Sequence, residues 1–226
     1  KVIHCTISSP IKNIKIMKKL IIILISLSSF SLSAQDYLTT MSDCLAQLEK
    51  AETIQEYTDL ALAFERIAVA EKTKWHPYYY QAFCLLVKSF MLKEADSRDK
   101  IIDAAEGIIK KAGELGGDKG ELSALQARAF QARLSVDPGT RAMQYGPKTT
   151  MLLAEARAQN PNNPRVLFLL GQNLLFTPAG FGGGKEKALP LIEQAVEKFN
   201  TVPAQDPLAP SWGREEATSL LANAKK

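Results

Sequence analysis

Apolar residues along this chain recur at intervals of three and four, and no segment alternates in the manner of a half-buried strand. Ala, Leu, Glu, Lys and Gln fill the periodic runs. About half of the glycines and most of the prolines fall between the runs or at their ends; Gly107, Gly146, Pro147, Gly171 and Pro190, the last near a helix start, lie inside them. The pattern predicts helices over 38–50, 55–72, 77–93, 98–113, 119–136, 141–159, 164–176, 185–200 and 211–224, and so an all-α chain.

Two spacings repeat within these helices. In the first, a small residue sits in a 0, 3, 4, 7 set: Tyr78, Gln81, Ala82, Leu85; then Ser123, Gln126, Ala127, Phe130; then Leu167, Leu170, Gly171, Leu174. The second has the spacing 0, 4, 7 and follows each of these: Ala105, Ile109, Ala112; Thr149, Leu153, Ala156; Ala188, Ile192, Ala195. Leu60, Phe64, Ile67 form an earlier copy. A small residue lets a second helix approach closely, and the 0, 4, 7 set supplies the side that fills the groove. The small residues are 45 and then 44 positions apart.

Taken together, the two series, with Pro161 five residues after Ala156, resemble the two helices of a tetratricopeptide repeat. The likeness runs from about Met41 to Phe199. It implies a superhelical array of antiparallel helix hairpins, a tetratricopeptide-like α-solenoid, closed by the amphipathic C-terminal segment "SWGREEATSLLANAKK" as a capping helix. A standard repeat is about 34 residues long, so the excess must go into extended helices or longer connections inside hairpins two to four. The segments "KEADSRD", "VDPGTRAMQYGPK" and "TPAGFGGGK" are expected to meet along one edge. The signal peptide, "FERIAVAEKTKWHPYYYQA" and "NPNNPR" are similar to exported bacterial proteins of this kind.

Residues 17–34 carry a short basic start, the apolar run "LIIILISLSSFSLSA" and a small-residue end, the form of a cleavable signal peptide cut near Ala34. Residues 1–16 read as upstream sequence, and 35–226 as one helical-repeat domain. The predicted destination is the periplasm or the outside of the cell. Removing the leader changes the charge argument. The whole chain has a formal net charge of +4 and a pI near 8.9, but residues 1–34 hold five lysines and no acid. The remainder, with 23 basic and 24 acidic residues, has lost the basic excess that would suggest nucleic acid. No membrane span is expected after the leader. Cys44 and Cys84 remain, both in apolar helical patterns. Export permits a disulfide between them, and a pair of buried thiols is the expected state.

The candidate chemistry is sparse. In "TPAGFGGGKEKA" a phosphate-binding loop would need glycine at Ala179, a hydroxyl at Glu186 and a strand before it, and all three are missing. The loop reads as a turn that uses glycine's access to positive φ. His76 is the one histidine past the leader, too few for a histidine metal site, and no nucleophile is paired with it. No catalytic residues, metal ligands or cofactors are assigned, and no enzyme is expected. Candidate contact residues are Tyr79 from the tyrosine run, Arg128 and Gln172 from the inner helices, and Arg141, Tyr145, Lys148 and Phe181 from the insertions, read as loop positions. The resemblance implies a scaffold that holds a protein or peptide partner in a preformed groove. The alternative is an accessory protein enclosing a small apolar or anionic ligand, similar to the tetratricopeptide-like component of solute uptake systems.

Overall fold

The computed structural model describes residues 36–203 and 206–226. Residues 1–16 and the predicted leader lie outside the described residues. Among the described residues the chain is helical throughout: α1 (36–48), α2 (Ile54–Ala70), α3 (His76–Met91), α4 (Ala95–Glu114), α5 (Lys119–Val136), α6 (Pro138–Gln159), α7 (Pro164–Phe176), α8 (Lys185–Thr201) and α9 (Arg214–Lys225). Local chemistry sets the starts. Thr53 and Glu56 form a reciprocal capping box on α2. Asp118 caps α5 and Asp137 caps α6. Asn163 accepts from the amides of Arg165 and Val166 at α7, which has a proline in its first turn.

From α2 onward each helix packs on the next, and α3 also touches α5 as α5 touches α7. Helices α3, α5 and α7 therefore form a layer of their own, with α4 and α6 packed between successive members of it. The spacings in the sequence mark the contacts. Every member of the four 0, 4, 7 sets is buried, as are Ala82, Ala127 and Gly171. Gly171 has no room for a side chain, because a Cβ there would lie 2.6 Å from Ile192 Cγ1 and 3.2 Å from the Ile192 amide nitrogen.

The extra length is mostly helix. Between α5 and α6 only Asp137 intervenes, and α4 begins at Ala95, so "VDPGTRAMQYGPK" and most of "KEADSRD" are helical turns. This corrects the loop assignment of Arg141, Tyr145 and Lys148, which stand on the first turns of α6. Asp137 and Pro138 start that helix early enough to absorb the insertion, and it runs on through Pro147. The glycine stretch 177–184 remains a connection, with a 3₁₀ turn at Ala179–Phe181. Gly182 has φ 87° and Gly184 φ 110°, and a Cβ on Gly183 would press into the Thr177 and Leu174 carbonyl oxygens. Backbone closeness and left-handed φ account for the glycines there.

The C-terminal segment departs from the expected end cap. Helix α9 does pack on α8, but residues 206–213 first run back across the α3–α5–α7 layer. Leu208 is buried in the core built from α1 to α5, and Trp212 packs against both that core and the one built from α5 to α9. Tyr80 donates from Oη to the Leu208 carbonyl at 2.8 Å, and Trp212 Nε1 donates to Tyr79 Oη at 2.8 Å. The chain's own strap thus covers part of the inner face where a groove was expected. Cys44 and Cys84 are free thiols buried in the first core.

Candidate functional site

A buried ionic cluster holds the covered part of the inner face. Glu121, at the start of α5, accepts from Arg165 Nε at 2.6 Å, from Arg165 Nη2 at 2.8 Å and from Asn163 Nδ2 at 2.7 Å. Both charged side chains are about nine-tenths buried, with 9% and 10% exposure. The pairing makes that burial tolerable, since Glu121 accepts four hydrogen bonds, Tyr79 Oη included, and each of the three Arg165 guanidinium nitrogens donates one. The Arg165 guanidinium also lies 5.8 Å from the rings of Phe199 and Trp212. Tyr79 is wholly buried beside this cluster. Burial, with Glu121 nearby, pushes its phenol well above the usual value. Tyr79 is thus a neutral part of the core, and its assignment as a contact residue is corrected.

His76 is equally engaged. Its ring stacks on Trp75 at 3.9 Å, and Nε2 stands 3.0 Å from the Asp206 carboxylate. Burial lowers its pKa, partly opposed by Asp206.

Arg141 forms a two-point clamp on Asp99 of α4, at 2.7 Å for both contacts. Asp99 also receives Arg133, which reaches Asp103 and Glu106 as well. The Arg141 hydrogen bonds hold Asp99 below the usual carboxylate range. The clamp brings the first and second insertions together as expected, and it commits Arg141 to fastening α6 onto α4.

The remaining candidates fall in three places. Tyr145 packs on Phe130 with ring centroids 5.9 Å apart, and the Lys148 ammonium lies 5.5 Å from the Tyr145 ring, at the α5–α6 edge. Phe181 stands on the 3₁₀ turn and is 71% exposed. Arg128 and Gln172 lie on the inner layer. The structure does not gather all seven into one site.

Arg128 is the group around which an aromatic cluster forms, with Phe90 as its exposed member. Its guanidinium is 5.0 Å from the Trp212 ring, 5.7 Å from Phe83 and 6.0 Å from Phe90. It binds both carboxylate oxygens of Glu216 on α9, at 2.9 and 3.0 Å. Trp212 stacks on Phe83 at 5.3 Å. One heptad beyond Phe83, Phe90 is 40% exposed, and Met91 follows it. Beyond the strap, Phe90 and Met91 are exposed at the C-terminal end of α3, and Gln131 on α5 and Gln172 on α7 are half-buried. Two shallow clefts lie elsewhere. One of about 440 Å³ between α1 and α2 is lined by Tyr37, Arg66 and Glu71; one of about 330 Å³ is lined by Ile109, Leu122, Gln126 and Leu152.

Sequence reasoning missed Phe90, Trp212, Glu216 and the Glu121–Arg165 pair. Phe90 was legible as an aromatic one heptad past a core aromatic. Trp212, an aromatic in a proline-rich connection, signalled a strap. The ionic pair left no local trace, because its partners are 44 residues apart.

Fold and face together describe an all-helical protein whose inner layer carries an arginine set among aromatic rings. No family model matches the chain, and no curated protein matches it. Among solved structures it is similar to the HusA haemophore from Porphyromonas gingivalis, with 39% identity and a TM-score of 0.77, over 84% of this chain and 92% of that one. The chain belongs to the HusA haemophore family, and its relative is a binding protein and not an enzyme.

Proposed function

We propose that this protein is an exported carrier of haem, which captures the macrocycle on the open part of its inner face and passes it to an uptake system. The observation that carries the reading is the 39% identity to a haemophore over nearly the whole of both chains. It favours the small-ligand alternative drawn from the sequence over the peptide scaffold. The strap supports the same choice, since the chain's own Leu208 and Trp212 lie across the inner layer along which an extended peptide would run. We read the layered hairpins as a tetratricopeptide-like superhelix, and the N-terminal leader as the export signal. No described helix is long and apolar enough to cross a membrane.

A flat, largely apolar macrocycle with two carboxylate arms needs an exposed ring to lie on and cations near its rim. Phe90 and Met91 offer the first, and Arg128 the second. His76, Cys84 and Tyr79 are held in the core, so the protein contributes stacking and charge from this face. The α1–α2 cleft suits the ligand less well: its lining mixes Asp36, Arg66 and Glu71 around a nearly buried tyrosine.

Titration of the purified protein with haem, followed by Soret absorbance and tryptophan fluorescence, tests the proposal. Saturable binding in the micromolar range or tighter is expected. Trp212, in contact with Arg128, should be quenched as the site fills. No saturable change in either signal would sink the reading.

Met143, Phe176 and Phe181 are 72%, 73% and 71% exposed. Phe176 and Phe181, at the end of α7 and on the 3₁₀ turn that follows it, favour a second role for that connection as the contact with a receiving protein.

A further inference from the structure

We propose that Glu216 is a built-in stand-in for a ligand carboxylate: when haem binds, one of its propionates displaces Glu216 from Arg128. The inference rests on the haem reading above and adds how the site is kept occupied when empty.

Three observations support it. The first is an asymmetry of burial. The Arg128 side chain is 13% exposed whereas Glu216 is 46% exposed. The cation is fixed inside an aromatic box, and its partner approaches from solvent. A buried guanidinium without an anion is costly, so the empty protein needs some carboxylate there. A half-exposed carboxylate gains little from the pairing, because water solvates it nearly as well.

The second is geometry. Glu216 binds through both oxygens at 2.9 and 3.0 Å, the planar two-point arrangement that any carboxylate adopts on arginine. A propionate reproduces it without change at Arg128.

The third is location. Arg128 lies 6.0 Å from the ring of Phe90, the half-exposed aromatic on which the macrocycle is proposed to rest. Glu216 comes from the first turn of the terminal helix, 88 residues away in sequence. Its withdrawal leaves the α3–α5–α7 layer intact. The side chain also needs no special solvation once released, being at the surface already.

The exchange predicts a paradox that a purely structural ion pair would not show: removing Glu216 should weaken the empty protein and strengthen binding. The experiment uses the full chain, wild type and Glu216→Gln, with haem and with haem dimethyl ester as probes. Thermal unfolding is followed without ligand. In wild type, haem should bind more tightly than its ester. In Glu216→Gln, the melting temperature should fall while haem affinity rises roughly two- to fivefold, the range set by loss of one half-exposed competing pair. Ester affinity should not change. If haem affinity is unchanged or falls, or if the ester gains as much as haem, the exchange is wrong even though the carrier reading stands. If wild type binds neither probe, both fail. Should the variant not fold, backbone hydrogen exchange on wild type decides. Haem should lower protection over 214–220 and its ester should not; equal protection with and without haem overturns the proposal.

Discussion

The sharpest stability test is the Glu121–Arg165 pair. Glu121→Ala removes the partner of a guanidinium that is 10% exposed and lies 5.8 Å from both the Phe199 and Trp212 rings. The charge cannot reach water without moving the strap. It also strips Asn163 Nδ2 of its acceptor, and Asn163 caps α7. Breaking a buried pair from one side costs about 3–5 kcal/mol. For a chain of this size that corresponds to a fall in melting temperature of about 10 °C. The lost contacts tie α5 to α7 and, through the Arg165 contact with the Trp212 carbonyl, to the strap, so unfolding should remain cooperative. Urea denaturation followed by tryptophan fluorescence and far-ultraviolet circular dichroism measures the loss; Trp75 and Trp212 both lie near the cluster. The double variant Glu121→Leu with Arg165→Met leaves no charge behind and should recover most of the stability. A single variant within about 1 kcal/mol of wild type would refute the reasoning, as would a double variant no better than the single.

Other perturbations follow from the same structure. Gly183→Ala forces a Cβ against two backbone carbonyls that cannot yield; a loss of roughly 1–3 kcal/mol in urea midpoint analysis is expected, and wild-type stability would contradict the close approach. The lowered pKa of His76 means that folding disfavours its protonated form. Stability should therefore be full above the unfolded value of about 6.5, decline as pH falls below it, and level off below the shifted value. Lys74 adds to the lowering and Asp206 opposes it. His76→Gln should flatten that part of the profile, and an unchanged slope would exclude His76 as its source. Phe90→Ala, at a half-exposed position, should leave the melting temperature nearly unchanged and weaken haem binding roughly three- to tenfold through lost stacking; equal affinity would move the macrocycle off this face.

Much of the architecture was decided by local sequence. The 3 and 4 spacing fixes helices because only that period places one apolar stripe along one side. Ala82, Ala127 and Gly171 mark where helices approach, since a larger side chain would collide with the partner backbone. Caps such as Thr53, Asp118 and Asn163 set helix starts from neighbouring residues alone. The glycines of 182–184 likewise answer to a local demand, left-handed φ and close backbone. What the sequence could not decide was which polar residues are free. Arg128, Arg141 and Tyr79 look like surface or ligand groups when read along a helix, and each is claimed by a partner more than forty residues away: Glu216, Asp99, and Trp212 with Glu121. Ionic and aromatic pairing acts over a few ångströms in space and has no period along the chain. For that reason only the tertiary structure revealed that the C-terminal strap packs across the inner face, enclosing Arg128 and leaving Phe90 exposed beside it.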